Sequence, residues 1–248
     1  TYRCHPGGAI AKHRVLPHGG ISLCLRHAGG EDEGSPSEVI LLGPVHHARA
    51  YEPKVGEVLR GVEVCPEWAR SLLRVAPEEH VDRIRSWKEA TGRGDLDTLP
   101  RRSSDATAGF RLLLGWLEAR VQGLGQDSSA RIAHAGLRRL RSSPEGSVSV
   151  VAASLGLSTR HLRRIITGLI GASPKHLQRL ARLNRVVMEA DGLKDPSWAG
   201  LAVRHGFFDQ AHLIREVRAL TTVTPTTLHA ERRAQPVPFF QSSSPFSS

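Results

Sequence analysis

The chain has 248 residues, 40% of them hydrophobic, with 34 Lys and Arg against 24 Asp and Glu and a pI near 10.5. That length suits two or three small domains, and the basic balance points to a polyanionic partner, most often nucleic acid. No stretch approaches the roughly 18–20 apolar residues of a membrane span. The start, Thr1-Tyr2-Arg3-Cys4-His5-Pro6, is not of signal-peptide type, and Cys4, Cys24 and Cys65 form no CxxC pair, which excludes a disulfide framework or a zinc ribbon.

The front region, 1–90, reads as β-rich. Ile21, Leu23 and Leu25 alternate with Ser22, Cys24 and Arg26, the period of a half-buried strand. Val39-Ile40-Leu41-Leu42 and the segment Val55 to Val64 are further strand candidates, separated by Gly and Pro. Pro66 opens a helical stretch carrying Trp68, Leu72 and Leu73, and a second helical stretch carries Val81, Ile84 and Trp87. Segment 91–146 begins with a polar break, Thr91 to Asp105. Helices follow over Phe110–Val121 and Ala130–Leu140, and the cluster Ser142-Ser143-Pro144-Glu145-Gly146 is a linker. The whole segment is expected to act as a helical linker with a capacity for dimerisation. Segment 147–233 reads as wholly helical. The tail, 234–248, is rich in Pro and Ser and is expected to be loosely ordered. The single Met is Met188, so residues ahead of Thr1 are expected to have been removed or left out.

An Arg excess can follow from GC-rich coding alone, so position matters more than total. Segment 147–233 holds 13 Lys and Arg against six Asp and Glu. It also contains an internal repeat. Val151-Ala152-Ala153-Ser154-Leu155-Gly156-Leu157 precedes His161-Leu162 and Arg164, and closes with Ser173-Pro174. Leu201-Ala202-Val203-Arg204-His205-Gly206-Phe207 precedes His212-Leu213 and Arg215, and closes with Thr224-Pro225. The offset is 50 residues at the glycines and 51 at the His-Leu pairs, so the second turn carries one extra residue. Two helix-turn-helix units fit this pattern.

Helical phase separates the faces of each second helix. Leu162, Ile165, Ile166 and Leu169 fall on one side and Arg160, Arg163, Arg164 and Thr167 on the other, with Ser158 or Thr159 as cap. Free N–H groups at such a start favour a phosphate, and Arg can donate twice to guanine O6 and N7. In the second unit Leu213, Val217 and Leu220 face inward, Ala211, Ile214, Arg215 and Arg218 face outward, and Gln210 and His212 flank them. Gln pairs with adenine, while Ala or Ile can touch a thymine methyl. Between the units, Ser173, Pro174 and Gly192 mark the cap, first turn and stop of a connecting helix. Its length of roughly 27 Å approaches the 34 Å repeat of B-DNA, so one chain could reach successive major-groove segments.

At these residues the sequence resembles the AraC/XylS family of bacterial transcription regulators, over about Ser147 to Leu228. Gly206-Phe207-Phe208-Asp209-Gln210-Ala211-His212-Leu213-Ile214-Arg215-Glu216 followed by Thr224-Pro225 is similar to the family's C-terminal signature. Val217 stands at a site usually aromatic, and Thr222 replaces a frequent Gly. The resemblance implies a monomeric DNA-binding domain with two reading helices. Base contact then falls to Arg160, Arg163 and Arg164 in the first unit, and to Gln210, Ala211, His212 and Arg215 in the second. Arg14-Val15-Leu16-Pro17-His18-Gly19, Gly43-Pro44 and Gly61-Val62-Glu63-Val64-Cys65-Pro66 resemble an N-terminal domain found in a subset of these regulators. That likeness implies a small β-barrel-like, cupin-like sensory domain.

The expectation is an α+β protein: a sensory domain over 1–90, a helical linker over 91–146, and a double helix-turn-helix domain over 147–233. Double-stranded DNA is the expected partner, with RNA polymerase, an unknown small-molecule effector and a homodimer as further expected partners. The expected role is that of a cytoplasmic transcription regulator, an activator or a repressor, without catalytic residues, metal or cofactor. A competing reading is open. Seven of the 13 histidines lie in the front region, including His13, His18, His46 and His47, and Cys65 lies there too. A metal-dependent or redox-sensing site, even an enzyme fused to the DNA-binding domain, would use such residues, although no HxH or HExxH spacing is present.

Overall fold

The apolar alternation of the front region resolves into strands whose register puts one face on a core. In the computed structural model, residues 2–3, 13–27, 37–52, 54, 57–99, 106–124 and 128–234 are described. Strands β1 (Tyr2–Arg3), β3 (Ile21–His27), β4 (Ser37–Leu42), β6 (Val58–Val64) and β7 (Ile84–Ser86) form a five-stranded sheet of order β1-β6-β3-β4-β7. Its pairings are antiparallel, with Leu23 opposite both Leu41 and Val62. Strands β2 (His13–Val15) and β5 (Arg49–Tyr51) pair with each other in a separate two-stranded sheet. The barrel-like expectation therefore takes the form, among the described residues, of an open sheet with a separate ribbon. Strand β7 stops after three residues, where the Ser86 cap starts a helix, and among the described residues no strand joins the sheet's two edges.

Two expectations are corrected here. The helical stretch expected around Val81–Trp87 is a 3-10 turn (Pro77–His80), then strand β7, then helix α2 (Trp87–Thr91). Ser86 accepts the Glu89 N–H, and Glu89 accepts the Ser86 N–H, a capping box that fixes where the helix begins. Strand β3 is also not half-buried: Ser22 and Cys24 are as enclosed as Ile21, Leu23 and Leu25. One face packs Ile21, Leu23, Leu25, Val39 and Leu41 against helices, while the other buries Cys24, Ile40, Leu42 and Leu59.

Helices α1 (Pro66–Leu73) and α3 (Ala106–Gln122) cover the first face through Ala69, Leu73, Leu113 and Leu117, with Trp87 of α2 edge-on to Trp116. Helix α4 (Ser128–Ser142) belongs to the next core. Its Ala133, Leu137 and Leu140 pack with α5 (Val148–Ala153), α6 (Thr159–Ile170) and the start of α7 (Pro174–Asp191). The remainder of α7 joins α8 (Trp198–Arg204), α9 (Gln210–Thr221) and α10 (Pro225–Ala234) in another core. The expected wholly helical segment is thus two units threaded on one helix. The tail from residue 235, Val55 and residues 100–105 of the polar break lie outside the described residues. Among the described residues no helix is long and apolar enough to cross a membrane.

Candidate nucleic-acid interface

Each helix of the two units starts on a side-chain cap. Ser147, Ser158, Ser173, Ser197 and Asp209 accept N–H groups from Ser149, His161, His176, Gly200 and His212. Such caps satisfy donors that the first turn of a helix leaves without partners. The turns inside the units end at Gly156 and Gly206, with φ of 68° and 69°, a conformation that costs a residue with a Cβ. Helix α7 runs for 18 residues from Pro174, as the Ser173 and Gly192 signals indicate.

The faces of α6 fall as its phase dictates. Leu162 and Ile166 are fully buried, while Arg160, Arg163, Arg164 and Thr167 are exposed. In α9, Leu213, Val217 and Leu220 are buried, Gln210, Ala211, Arg215 and Arg218 are exposed, and Ile214 is half-buried. Arg160, Arg163, Arg164, Arg215 and Arg218 have no hydrogen-bond or ion-pair partner among the described residues. Other arginines of the same domain are engaged: Arg179 pairs with Glu216 at 2.7 Å, Arg204 with Glu189 at 2.7 Å, and Arg232 with both oxygens of Asp191. His212 differs from its neighbours. Its Nδ1 accepts the Phe208 N–H at 3.2 Å and its ring stands edge-on to Phe207, so it braces the turn as well as flanking the face.

The C-terminal ends of α6 and α9 meet the front region, a contact between positions more than 100 residues apart. His46 Nε2 donates to the Ile170 carbonyl at the end of α6 (2.7 Å). Two residues on, the Ala48 N–H donates to the Leu220 carbonyl near the end of α9 (2.7 Å). Arg14 donates to the Thr221 carbonyl (3.0 Å) and forms a two-pronged pair with Glu231 of α10 (2.8 and 3.0 Å). These are the carbonyls a helix C-terminus leaves without partners, and a cation there also meets the negative end of the helix dipole. Leu16 packs against the core of the second unit. His46 and His176 stack edge-on at 4.9 Å, with His47 at 6.2 Å from His176. Burial, then the neighbouring His46, Arg179 and His47, hold His176 at about 4, with Asp82 opposing them weakly.

The competing metal or redox reading rests on front-region residues of which Cys4 and His5 lie outside the described ones. Burial pushes the Cys24 thiol up to about 12 and the Cys65 thiol up to about 11, away from the thiolate that redox chemistry uses. Among the described residues no group of three or more His, Cys, Asp or Glu is placed to hold a metal.

A family profile described as a helix-turn-helix domain matches residues 151–231, spanning both units. No curated relative matches the chain. Among solved structures, ToxT from Vibrio cholerae O395 is similar at 12% identity over 93% of this chain and 95% of that one, with a TM-score of 0.47. A second crystal structure of Vibrio cholerae ToxT is similar at 10% identity, covering 90% and 96%, with a TM-score of 0.48. Both neighbours share little sequence with this chain. By the profile match and the two-unit geometry, residues 151–231 form a helix-turn-helix domain, with its two units threaded on α7.

Proposed function

We propose that this chain is a transcription regulator of the AraC/XylS type that reads two successive major-groove segments, α6 entering one and α9 the other, under the control of a signal received by the front region. The observation that carries the reading is the set of five exposed arginines on α6 and α9 without protein partners, in a domain whose other arginines are largely paired. A guanidinium left free and aimed outward from a capped helix is suited to guanine and phosphate. Arg160, Arg163, Arg164 and Thr167 read in the first unit. Gln210, Ala211, Arg215 and Arg218 read in the second, with His212 bracing its turn. Control by the front region is supported by its hydrogen bonds to the last turns of both reading helices. A shift of loop 45–48 would move both helices at once. A small-molecule effector is the proposed source of such a shift, and RNA polymerase the proposed second partner.

The test starts with selection of a binding site from a random DNA pool by the full chain. Arg164→Ala then costs about 1–3 kcal/mol on the selected site and little on random DNA. Equal losses on both would reduce Arg164 to a phosphate contact. Binding also weakens steeply with salt as counterions are released, and a flat salt response contradicts the reading.

A further inference from the structure

The second turn is one residue longer than the first, and the caps identify the extra residue. Ser158 caps α6 directly after Leu157, whereas Asp209 caps α9 two residues after Phe207. Phe207 is the buried counterpart of Leu157, so Phe208 is the insertion. Its ring is 91% exposed, more than any other large hydrophobic side chain among the described residues.

The backbone that carries this ring is held on both sides. Phe207 is anchored in the core of the second unit, and Asp209 accepts the His212 N–H at 2.6 Å. The Phe208 N–H itself donates to His212 Nδ1. A residue just ahead of a cap often folds back onto the first turn of its helix, but here Phe207 fills the core and Phe208 is turned outward. A lone exposed apolar side chain is ordinary on a protein surface. A pinned aromatic ring at the groove-entering end of a reading helix, next to Gln210 and Ala211, is a different matter.

We infer that Phe208 is a base-reading residue, placing its ring against the C5-methyl of a thymine at the edge of the second half-site. The inference rests on α9 reading DNA as proposed above. DNA is the occupant favoured by position: the neighbouring outward residues are Ala211, Ile214 and Arg215, and the apolar pair among them suits thymine methyls as well. The two units then read different chemistry. The three arginines of α6 take guanine edges by hydrogen bonding, and Phe208, Ala211 and Ile214 of α9 take methyl groups by apolar contact. The insertion supplies contact area that Ala211 is too small to give.

The experiment uses the full chain and its selected site, with each thymine of the half-site covered by α9 replaced in turn by uracil, which lacks only the methyl. At one position uracil weakens binding of the unaltered chain by a factor of about four, the worth of one buried methyl group. Phe208→Ala weakens binding to the thymine site by at least that factor and removes the difference between thymine and uracil there. Equal binding of every substituted DNA by the unaltered chain overturns the inference, as does survival of all its thymine preferences in Phe208→Ala. Arg215→Ala, on the same helix α9 and the same DNA, separates the two levels. If it weakens binding while Phe208→Ala does not, the inference fails and the two-unit reading stands. If neither variant loses affinity, both fail. The ring is exposed, so circular dichroism of Phe208→Ala is expected to match that of the unaltered chain.

Discussion

Thr222 ends helix α9 with a φ of 67°, whereas Gly171 ends α6 with a φ of 68°. A β-branched residue in that left-handed region costs about 1–2 kcal/mol that glycine does not. The Thr222 hydroxyl gives something in return. It donates to the Thr221 carbonyl (2.6 Å) and accepts from Arg14 (3.3 Å), beside the bond from Arg14 to the same carbonyl (3.0 Å). These bonds are short-range or exposed and do not offset the whole strain. Thr222→Gly is therefore expected to stabilise the chain by about 1 kcal/mol, allowing for the extra freedom glycine brings to the unfolded state. Urea denaturation checks it, and an unchanged or lowered midpoint would show that the Arg14 contact outweighs the strain.

At the scale of elements, α6 is tied to the front region by close approach as well as by hydrogen bonds. A Cβ at Gly171 would lie 2.3 Å from Cγ2 of Val81, which follows the 3-10 turn. Gly171→Ala adds this clash to the strain of its positive φ and is expected to cost more than 1 kcal/mol. A Val81→Ala background should recover part of the loss, and no recovery would place the cost in the backbone alone. The helix-turn-helix units were legible in the sequence because their signals are local: phase in α6, Ser caps, and glycines at matched positions. The same locality shows why other elements were not. Val81, Ile84 and Trp87 fit a helical spacing, but Ile84 pairs with Leu42 on the far side of the sheet, and only the Ser86 to Glu89 capping box marks the true start of α2. Ser22 and Cys24 look like a solvent face, yet they are enclosed by packing that alternation cannot disclose. In the reading faces, outward placement of Arg160, Arg163 and Arg164 followed from phase. The bracing role of His212 did not, since it depends on where the Phe208 N–H points.

At the scale of the molecule, α6 and α9 are held by the front region at their C-terminal ends, and their N-terminal halves present Arg160, Arg163, Gln210 and Ala211 to solvent. The sensor and the DNA would then act on opposite ends of the same two helices. Titration should be felt at this contact. Histidine ordinarily titrates near 6.5, and burial at the contact holds both His176 and His18 at about 4, helped by Arg141 beside His18 and by His46, Arg179 and His47 beside His176. Between these values the released or unfolded form takes up protons that the docked form does not. The stabilisation is complete above about pH 6.5 and is lost as pH falls toward 4. Thermal unfolding at pH 7.5 and at pH 5 is expected to show the lower midpoint at pH 5, with a smaller difference in His176→Gln. A midpoint that rises on acidification contradicts the arrangement. Arg14, His46 and Ala48 carry no sequence signal for this contact, because it joins positions more than 100 residues apart.

The central claim is that one chain places α6 and α9 in successive major-groove segments, and hydroxyl-radical footprinting of the full chain on its selected site tests it most directly. Two protected patches are expected on one face of the duplex, about one helical turn of 10–10.5 base pairs apart. Alanine at Arg160, Arg163 and Arg164 should remove one patch and Arg215→Ala should weaken the other. A single patch, or protection spread evenly over both faces, would contradict it.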